Sequence, residues 1–383
     1  MTTPLQLTRV SLHRFKAAYG LSNVPLRPFN VLVGRNGAGK STLLEALQWI
    51  DAAVRKTTNF ACDRYNGVQD LINHRYSAEP RGFRIETRLE AESGSFAHYQ
   101  CSIEEDGNLA RVGAEELKIG SAGMPYGNKA LETTRPTVDD RLMLSRLEES
   151  LPNTRHGIAG GDIVNFWRDA VFLRLEPTDL ARVAPLRRAS FDPLLDEVGS
   201  LLTALIESLD SDAREDLVEM LQSVLPDIRG VEVIRSSDNR SGNYALKEDI
   251  VYKGRDGSKQ FLIPAWMLSE GTRRMTAIFA LLARRPGPSL LCIEEVENGL
   301  DPVAVRKVLH HLKAAGRRGV QVILTTHSPW LLDEVPLEDV QVVRRVQGDT
   351  SYVRLQDDPA SMQSDPRVLP GGRYLDLLDL LDR

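Results

Sequence analysis

The chain is poor in cysteine, with Cys62, Cys101 and Cys292 as its three thiols in 383 residues. Their spacing matches neither a metal-ligand pair nor an even-numbered disulfide framework. That excludes a bridged secreted scaffold and fits a reducing cytosol. No run approaches the roughly 18 apolar residues of a membrane span. The N-terminus, Met1-Thr2-Thr3-Pro4-Leu5-Gln6-Leu7, lacks the basic and apolar regions of a signal peptide. A cytoplasmic location is therefore expected, with any membrane contact left to a partner. Excess positive charge is missing too: the net charge of -5 excludes a globally basic nucleic-acid coat but allows a local basic face. No a/d heptad pattern persists over several repeats, so a long coiled-coil arm is not expected. No His, Asp and Cys cluster has a second metal's spacing, and nothing marks a standalone nuclease or protease. Internal repeats and low-complexity tracts are absent.

What is there begins at Gly34-Arg35-Asn36-Gly37-Ala38-Gly39-Lys40-Ser41, which fits G-x-x-x-x-G-K-[ST]. Phe29–Val33 reads as a buried strand before it, and Thr42–Ile50 has helical periodicity after it. Strand, glycine-rich turn and helix start form a phosphate cradle, because glycines let backbone N–H groups face phosphate oxygens. Asn36, Gly37, Ala38, Gly39, Lys40, Ser41 and Thr42 are its candidate residues, with Lys40 reaching the β- and γ-phosphates and Ser41 holding Mg²⁺. The implied ligand is a nucleoside triphosphate.

The expected fold class is α/β. A length of 383 residues accommodates two or three domains, or one large domain with an insertion. Gln6–Leu12 alternates and is expected to be a strand paired with the one feeding the phosphate loop. Residues 55–80 read as irregular around a short helix at Val68–Ile72. Gly82–Leu89 and Phe96–Ile103, punctuated by Ser93-Gly94 and Asp106-Gly107, predict an antiparallel meander. The division expected is an N-terminal lobe over 1–119, a mainly helical insertion over 120–229 and a C-terminal lobe over 230–383. Asp139–Leu147 reads as an amphipathic stretch, helices are predicted over Asp192–Leu209 and Ala213–Leu225, and strands across 231–263. From about 264 the pattern becomes helix Glu270–Arg284, strand Ser289–Ile293, helix Pro302–Ala315 and strand Val320–Leu324. Near-continuous apolar strands of this kind belong to a parallel sheet covered on both faces.

Two of these strands end in chemistry. Ser289–Ile293 runs into Glu294-Glu295, and acids beyond the carboxyl end of such a strand face a bound ligand. Glu294 suits Mg²⁺, a hard cation that retains water, while Glu295 is placed to orient or deprotonate the attacking water. The next strand ends in Thr325-Thr326-His327, and His327 can donate to a γ-phosphate or hold the water. Ser269 reads as the N-cap of the following helix, and that N-terminus as a second anion site. One chain rarely folds both this motif and its own phosphate loop onto one nucleotide.

Together these residues resemble the ATP-binding-cassette ATPases, and within them the head domains of the SMC, RecF and overcoming-lysogenisation-defect group. Gly34–Ser41 matches their Walker A, Leu268–Thr272 their LSGGQ-type signature, Leu290–Glu295 their Walker B, Gly299–Pro302 their D-loop and His327 their switch histidine. The match covers about residues 1–50 and 260–345, and short bacterial ATPases of this group also resemble Leu173–Leu209. The resemblance implies a P-loop fold with a mixed, mostly parallel sheet, ATP with Mg²⁺, and two heads sandwiching two ATP molecules. In that arrangement Ser269 and Gly271 of one copy contact the γ-phosphate held by the other copy's Lys40, and Asp301 lines the same interface. Glu294 departs from the usual Asp, and Glu270 and Thr272 from the second Gly and the Gln of LSGGQ. No glutamine of the Q-loop stands out, Gln69 and Gln100 being candidates. With neither coiled-coil arms nor a carboxy-terminal nuclease domain, the chain is expected to borrow effector chemistry from a separate partner, such as a nuclease.

The leading functional expectation is an ATP hydrolase whose homodimerisation gates a partner or nucleic acid, in antiviral defence or DNA maintenance. The alternatives are a nucleotide-dependent scaffold with little turnover and, more weakly, a transporter's energy subunit. Arg182, Arg187 and Arg188, with Arg273-Arg274, Arg284-Arg285 and Arg317-Arg318, are candidate DNA or RNA contacts or simply solvated faces.

Overall fold

A computed structural model describes residues 4–75, 81–121, 130–133, 140–150, 158–175, 180, 184–185, 198–237, 241–251, 258–362 and 367–381. The chain forms two compact units, Met1–Ala170 with Gln321–Arg383, and Val171–Val320. Each is a mixture of strands and helices, the α/β class expected.

The first unit opens with β1 (Leu5–His13), β2 (Ser22–Pro25) and β3 (Phe29–Val33), then the helix Lys40–Arg55. The meander follows as β4 (Gly82–Ala91), β5 (Ser95–Asp106), β6 (Leu109–Ser121) and β7 (Ala130–Thr133). β4 alternates strictly between buried and half-buried residues, with Phe83, Ile85 and Leu89 inward and Arg84, Glu86 and Arg88 outward. This antiparallel sheet has the order β2-β1-β4-β5-β6-β7. The helix Lys40–Arg55 is fixed on its apolar face: Trp49 meets Phe83 edge-on at 5.2 Å, and Phe83 meets Phe15 at 5.1 Å. Such aromatic pairs contribute about 0.5–1.5 kcal/mol beyond their buried area. A short helix, Thr58–Asp63, lies in the stretch read as irregular, and Thr57 caps it by accepting from the Phe60 N–H at 3.1 Å. Val68–Leu71 is a single 3₁₀ turn.

The second unit begins with β8 (Val171–Leu173) and β9 (Ala184–Pro185), followed by helices Val198–Ser208 and Ser211–Gln222. The predicted start of the first of these helices, 192–197, lies outside the described residues. Strands β10 (Ile228–Arg235), β11 (Ser241–Val251) and β12 (Ser258–Pro264) form an antiparallel sheet, with β9 also paired to β11. Then come helix Glu270–Ala283, β13 (Leu290–Ile293) and helix Pro302–Arg317. β13 is buried throughout and parallel to β8. Phe279 packs edge-on against His311 at 5.0 Å, joining the two helices that flank β13 in sequence.

The chain returns to the first unit with β14 (Gln321–Thr326), β15 (Val340–Val346) and β16 (Asp349–Arg354). β14 and β15 lie parallel on either side of β3, and β16 closes an antiparallel hairpin on β15. Every residue of β3 and β14 is buried, as the near-continuous apolar runs predicted.

One expectation is overturned here. β1 does not pair with β3; it lies antiparallel between β2 and β4. A side chain makes the link instead. Gln321 accepts from the Leu7 N–H at 2.8 Å and donates to the carbonyls of Leu7 at 2.7 Å and Arg27 at 2.9 Å. The amide meets β1 where its register with β4 slips between Leu7 and Arg9. Alternation in β1 reports which of its faces is buried, not which strand it joins.

Candidate functional site

In the first unit the buried strand β3 stops at Val33, the chain turns through Gly34–Gly39, and the helix starts at Lys40. Gly39 stands at the N-cap with φ 109°, no side chain caps this helix, and its first turn holds no acid. The helices at Glu270 and Pro302 are, by contrast, capped by Ser269 and Asp301. A long helix that starts without a side-chain cap presents N–H donors and a positive dipole end to an anion.

Lys40 is buried, and its Nζ donates to the carbonyls of Gly34 at 2.7 Å and Arg35 at 3.2 Å. The same nitrogen lies 3.4 Å from His327 Nδ1. Two predicted residues 287 positions apart therefore meet, because His327 follows β14 and β14 runs parallel to β3. Asn36, Gly37 and Ser41 are exposed, Gly39 is half-buried, and Ala38 and Thr42 are buried.

The β15–β16 hairpin braces this loop. A Cβ on Gly34 would collide with the Val343 carbonyl, and one on Gly39 would sit 2.6 Å from Thr350 Oγ1 and Cγ2. The Tyr352 hydroxyl donates to the Gly39 carbonyl at 2.8 Å. Burial pushes the Tyr352 pKa well up, so it stays a donor at physiological pH. Sequence reasoning missed these residues; their signal was the valine-rich stretch Val340-Gln341-Val342-Val343 before the Gln347-Gly348 turn.

The second unit holds the remaining predicted residues. The Glu294 N–H donates to the Leu173 carbonyl at 3.0 Å, continuing the β13–β8 ladder by one residue. Its half-buried carboxylate lies 3.9 Å from the exposed Arg174, an ion pair worth little. Glu295 turns left-handed at φ 48°, a conformation uncommon for a non-glycine residue. Asn298 then folds back: its amide donates to Glu295 Oε2 at 2.5 Å and its backbone N–H to the Glu295 carbonyl at 3.0 Å. Asp301 caps the next helix, accepting from the N–H groups of Val303 at 2.8 Å and Ala304 at 3.1 Å.

Ser269 is the N-cap expected, accepting from the Thr272 N–H at 3.1 Å. Gly271 lies so close to the Gly299 carbonyl that a Cβ would not fit, which brings this helix start against the turn after β13. Glu270 pairs with the buried Arg274 at 3.2 Å.

Some basic clusters have internal uses. Arg274 serves Glu270, Arg273 reaches the Ala265 carbonyl at 3.5 Å, and Arg285 pairs with Asp216. Arg317 and Arg318 are exposed, while Arg182, Arg187 and Arg188 lie outside the described residues. Gln69 is held by Glu105 at 2.8 Å, and Gln100 lies on the half-exposed face of β5. Among the described residues no group of three or more His, Cys, Asp or Glu could hold a metal by itself. No described helix is long and apolar enough to cross a membrane.

A fold with a phosphate loop, a strand-end histidine, paired acids and a Ser-capped helix is similar to that of ABC- and SMC-type ATPase heads. The chain belongs to the family described as "AAA domain, putative AbiEii toxin, Type IV TA system", whose model matches residues 29–88 and 168–333, more than half its length. The energy-coupling factor transporter ATP-binding protein EcfA of Methanococcus maripaludis is 25% identical over 148 residues, 36% of this chain and 51% of that protein. The chain thus spans about half the length of this curated relative. An SMC head bound to the C-winged helix domain of ScpA matches with a TM-score of 0.56 at 14% identity, over 91% of this chain and 97% of that one. The Smc head domain with an extended coiled coil, bound to the C-terminal domain of ScpA derived from Pyrococcus furiosus, matches with a TM-score of 0.55 at 14% identity. That second match covers 99% of this chain and 100% of the other. At these identities the two structures speak for the fold.

Proposed function

We propose that the protein is a Mg²⁺-dependent ATP hydrolase whose ATP-driven head dimerisation gates a partner protein or nucleic acid, in antiviral defence or DNA repair and maintenance. The observation that carries this reading is the buried Lys40 ammonium, 3.4 Å from His327 at the start of an uncapped helix. That arrangement fits a triphosphate, and the exposed Ser41 beside it fits a metal held by few protein oxygens and several waters. The backbone of Asn36–Thr42 takes the phosphate oxygens, Lys40 the β- and γ-phosphates, and Ser41 with Glu294 the Mg²⁺. Bound magnesium supplies neutralisation of phosphate charge. Glu295 accepts the proton of the attacking water and His327 donates to the γ-phosphate. Ser269, Gly271 and Asp301 serve the nucleotide of a second copy, so ATP favours the paired state by binding it better. The segments 1–119, 120–229 and 230–383 are read as two lobes of one head around an insertion.

A separate partner protein is supported by the ScpA domains bound to the two SMC heads, and we read that partner as an effector such as a nuclease. A defence role is supported by the toxin description of the family. DNA or RNA contact rests on the exposed Arg317 and Arg318. Phosphate release with Mg²⁺, repeated with EDTA, tests the hydrolase. Lys40→Ala should abolish turnover and weaken ATP binding; Glu295→Gln should abolish turnover while retaining ATP and accumulating dimers by light scattering. Hydrolysis unchanged in both variants would remove the proposal.

A further inference from the structure

We infer that Asn298 is a positioning residue for the Glu295 carboxylate, held in a turn packed against the start of the helix Glu270–Ala283. This inference rests on the hydrolase reading of Glu295. Glu295 enters the turn at φ 48°, so its side chain leaves the line of β13 rather than continuing the strand. The carboxylate is then gripped by the Asn298 amide at 2.5 Å. A carboxylate only accepts, so the amide must present its nitrogen, and one oxygen of Glu295 is taken.

The turn itself is bonded from within. The Asn298 N–H reaches the Glu295 carbonyl at 3.0 Å, the Leu300 N–H reaches the Glu297 carbonyl at 3.1 Å, and Asp301 caps the helix that follows. Its outer side abuts the signature helix. Gly271 touches the Gly299 carbonyl, and the Glu270 side chain lies over Gly299, where a Cβ would be 2.9 Å from Oε1. Glu270 thus fills the space above the turn and is itself braced by Arg274 at 3.2 Å. The helix start that carries Ser269 is therefore packed directly on the turn that carries Asn298. Asn298 is exposed, and covering this face would strengthen its charge-assisted bond.

The test is steady-state phosphate release by the full chain with Asn298→Ala, Asn298→Ser and Asn298→Asp, alongside thermal midpoints. Loss of a donor to a charged group predicts a fall in kcat of roughly tenfold to a hundredfold for Asn298→Ala, with the KM for ATP within about threefold. Asn298→Ser keeps a donor and should recover part of the rate. Asn298→Asp keeps the shape but sets a second carboxylate against the first, and should be slowest. Variants within about twofold of wild type would overturn the inference. So would rate losses that track the thermal midpoint and are not recovered by serine, the mark of a merely structural residue. A wild-type chain releasing no phosphate overturns the hydrolase reading as well, whereas an active wild type with indifferent Asn298 variants sinks this inference alone.

Discussion

Replacing Gly39 by alanine should damage the phosphate loop for two separable reasons. The first is backbone conformation: at φ 109° an L-residue is strained by about 1–3 kcal/mol. The second is collision, since the new Cβ would stand 2.6 Å from both Thr350 Oγ1 and Cγ2. Thr350 is 4% exposed on β16, so it has little room to retreat, and overpacking of this kind costs about 1–3 kcal/mol. Together they predict a loss of about 2–6 kcal/mol for Gly39→Ala. Thr350→Ala removes both colliding atoms and leaves its own Cβ at 3.2 Å, a contact that a small shift accommodates. Among the described residues Thr350 Oγ1 has no hydrogen-bond partner, so this second change breaks no such bond. Gly39→Ala/Thr350→Ala should then regain the collision share, about 1–3 kcal/mol, but not the strain. Urea unfolding of the four proteins in the double-mutant cycle measures the coupling directly. A coupling energy below about 0.5 kcal/mol would refute the claim that the hairpin braces the loop.

Tyr352→Phe should lower unfolding free energy by about 0.5–1.5 kcal/mol, because it removes the donor to the half-buried Gly39 carbonyl; urea midpoints check it. The stability of the second unit should fall as pH drops below 6.5. Burial first, then the charges of His310, Arg318 and Lys307, hold the His311 pKa below that ordinary value. Below 6.5 the unfolded chain therefore takes up the proton more readily than the folded one. Ser223 donates to the Met220 carbonyl at 2.6 Å, leaving its oxygen to accept from His311 Nε2 at 3.1 Å. Unfolding curves at pH 8 and pH 5.5 should differ less in His311→Gln than in wild type.

Much of the site was legible because its parts are local. A buried strand, a glycine turn and a helix start are contiguous at 29–55, and Ser269 announces its cap three residues before the N–H it accepts. His327 lies beside Lys40 because β14 and β3 are parallel neighbours, a pairing that two apolar runs do not by themselves specify. What escaped was non-local or conformational. β1 pairs with β2 and β4, and its link to β14 comes from a glutamine 314 residues away. The bracing of Gly39 depends on a hairpin more than 300 residues downstream, and no periodicity in the loop records it. The Asn298–Glu295 bond follows from one left-handed residue, and composition offers no reason for Glu295 to adopt it.

Gln321 imposes a narrow choice on its own position. Its amide uses one acceptor and both hydrogens on three backbone groups of Leu7 and Arg27. Glutamate would offer no hydrogens, asparagine would fall about one methylene short, and leucine would take the amide from both Leu7 groups, leaving the Arg27 carbonyl its bond from the Asn30 amide at 2.6 Å. One planar amide thus works as a clasp between the meander and the strand beside β3. The two sheets stay distinct yet share a seam, and loosening that clasp would leave β1 held by β2 and β4 alone.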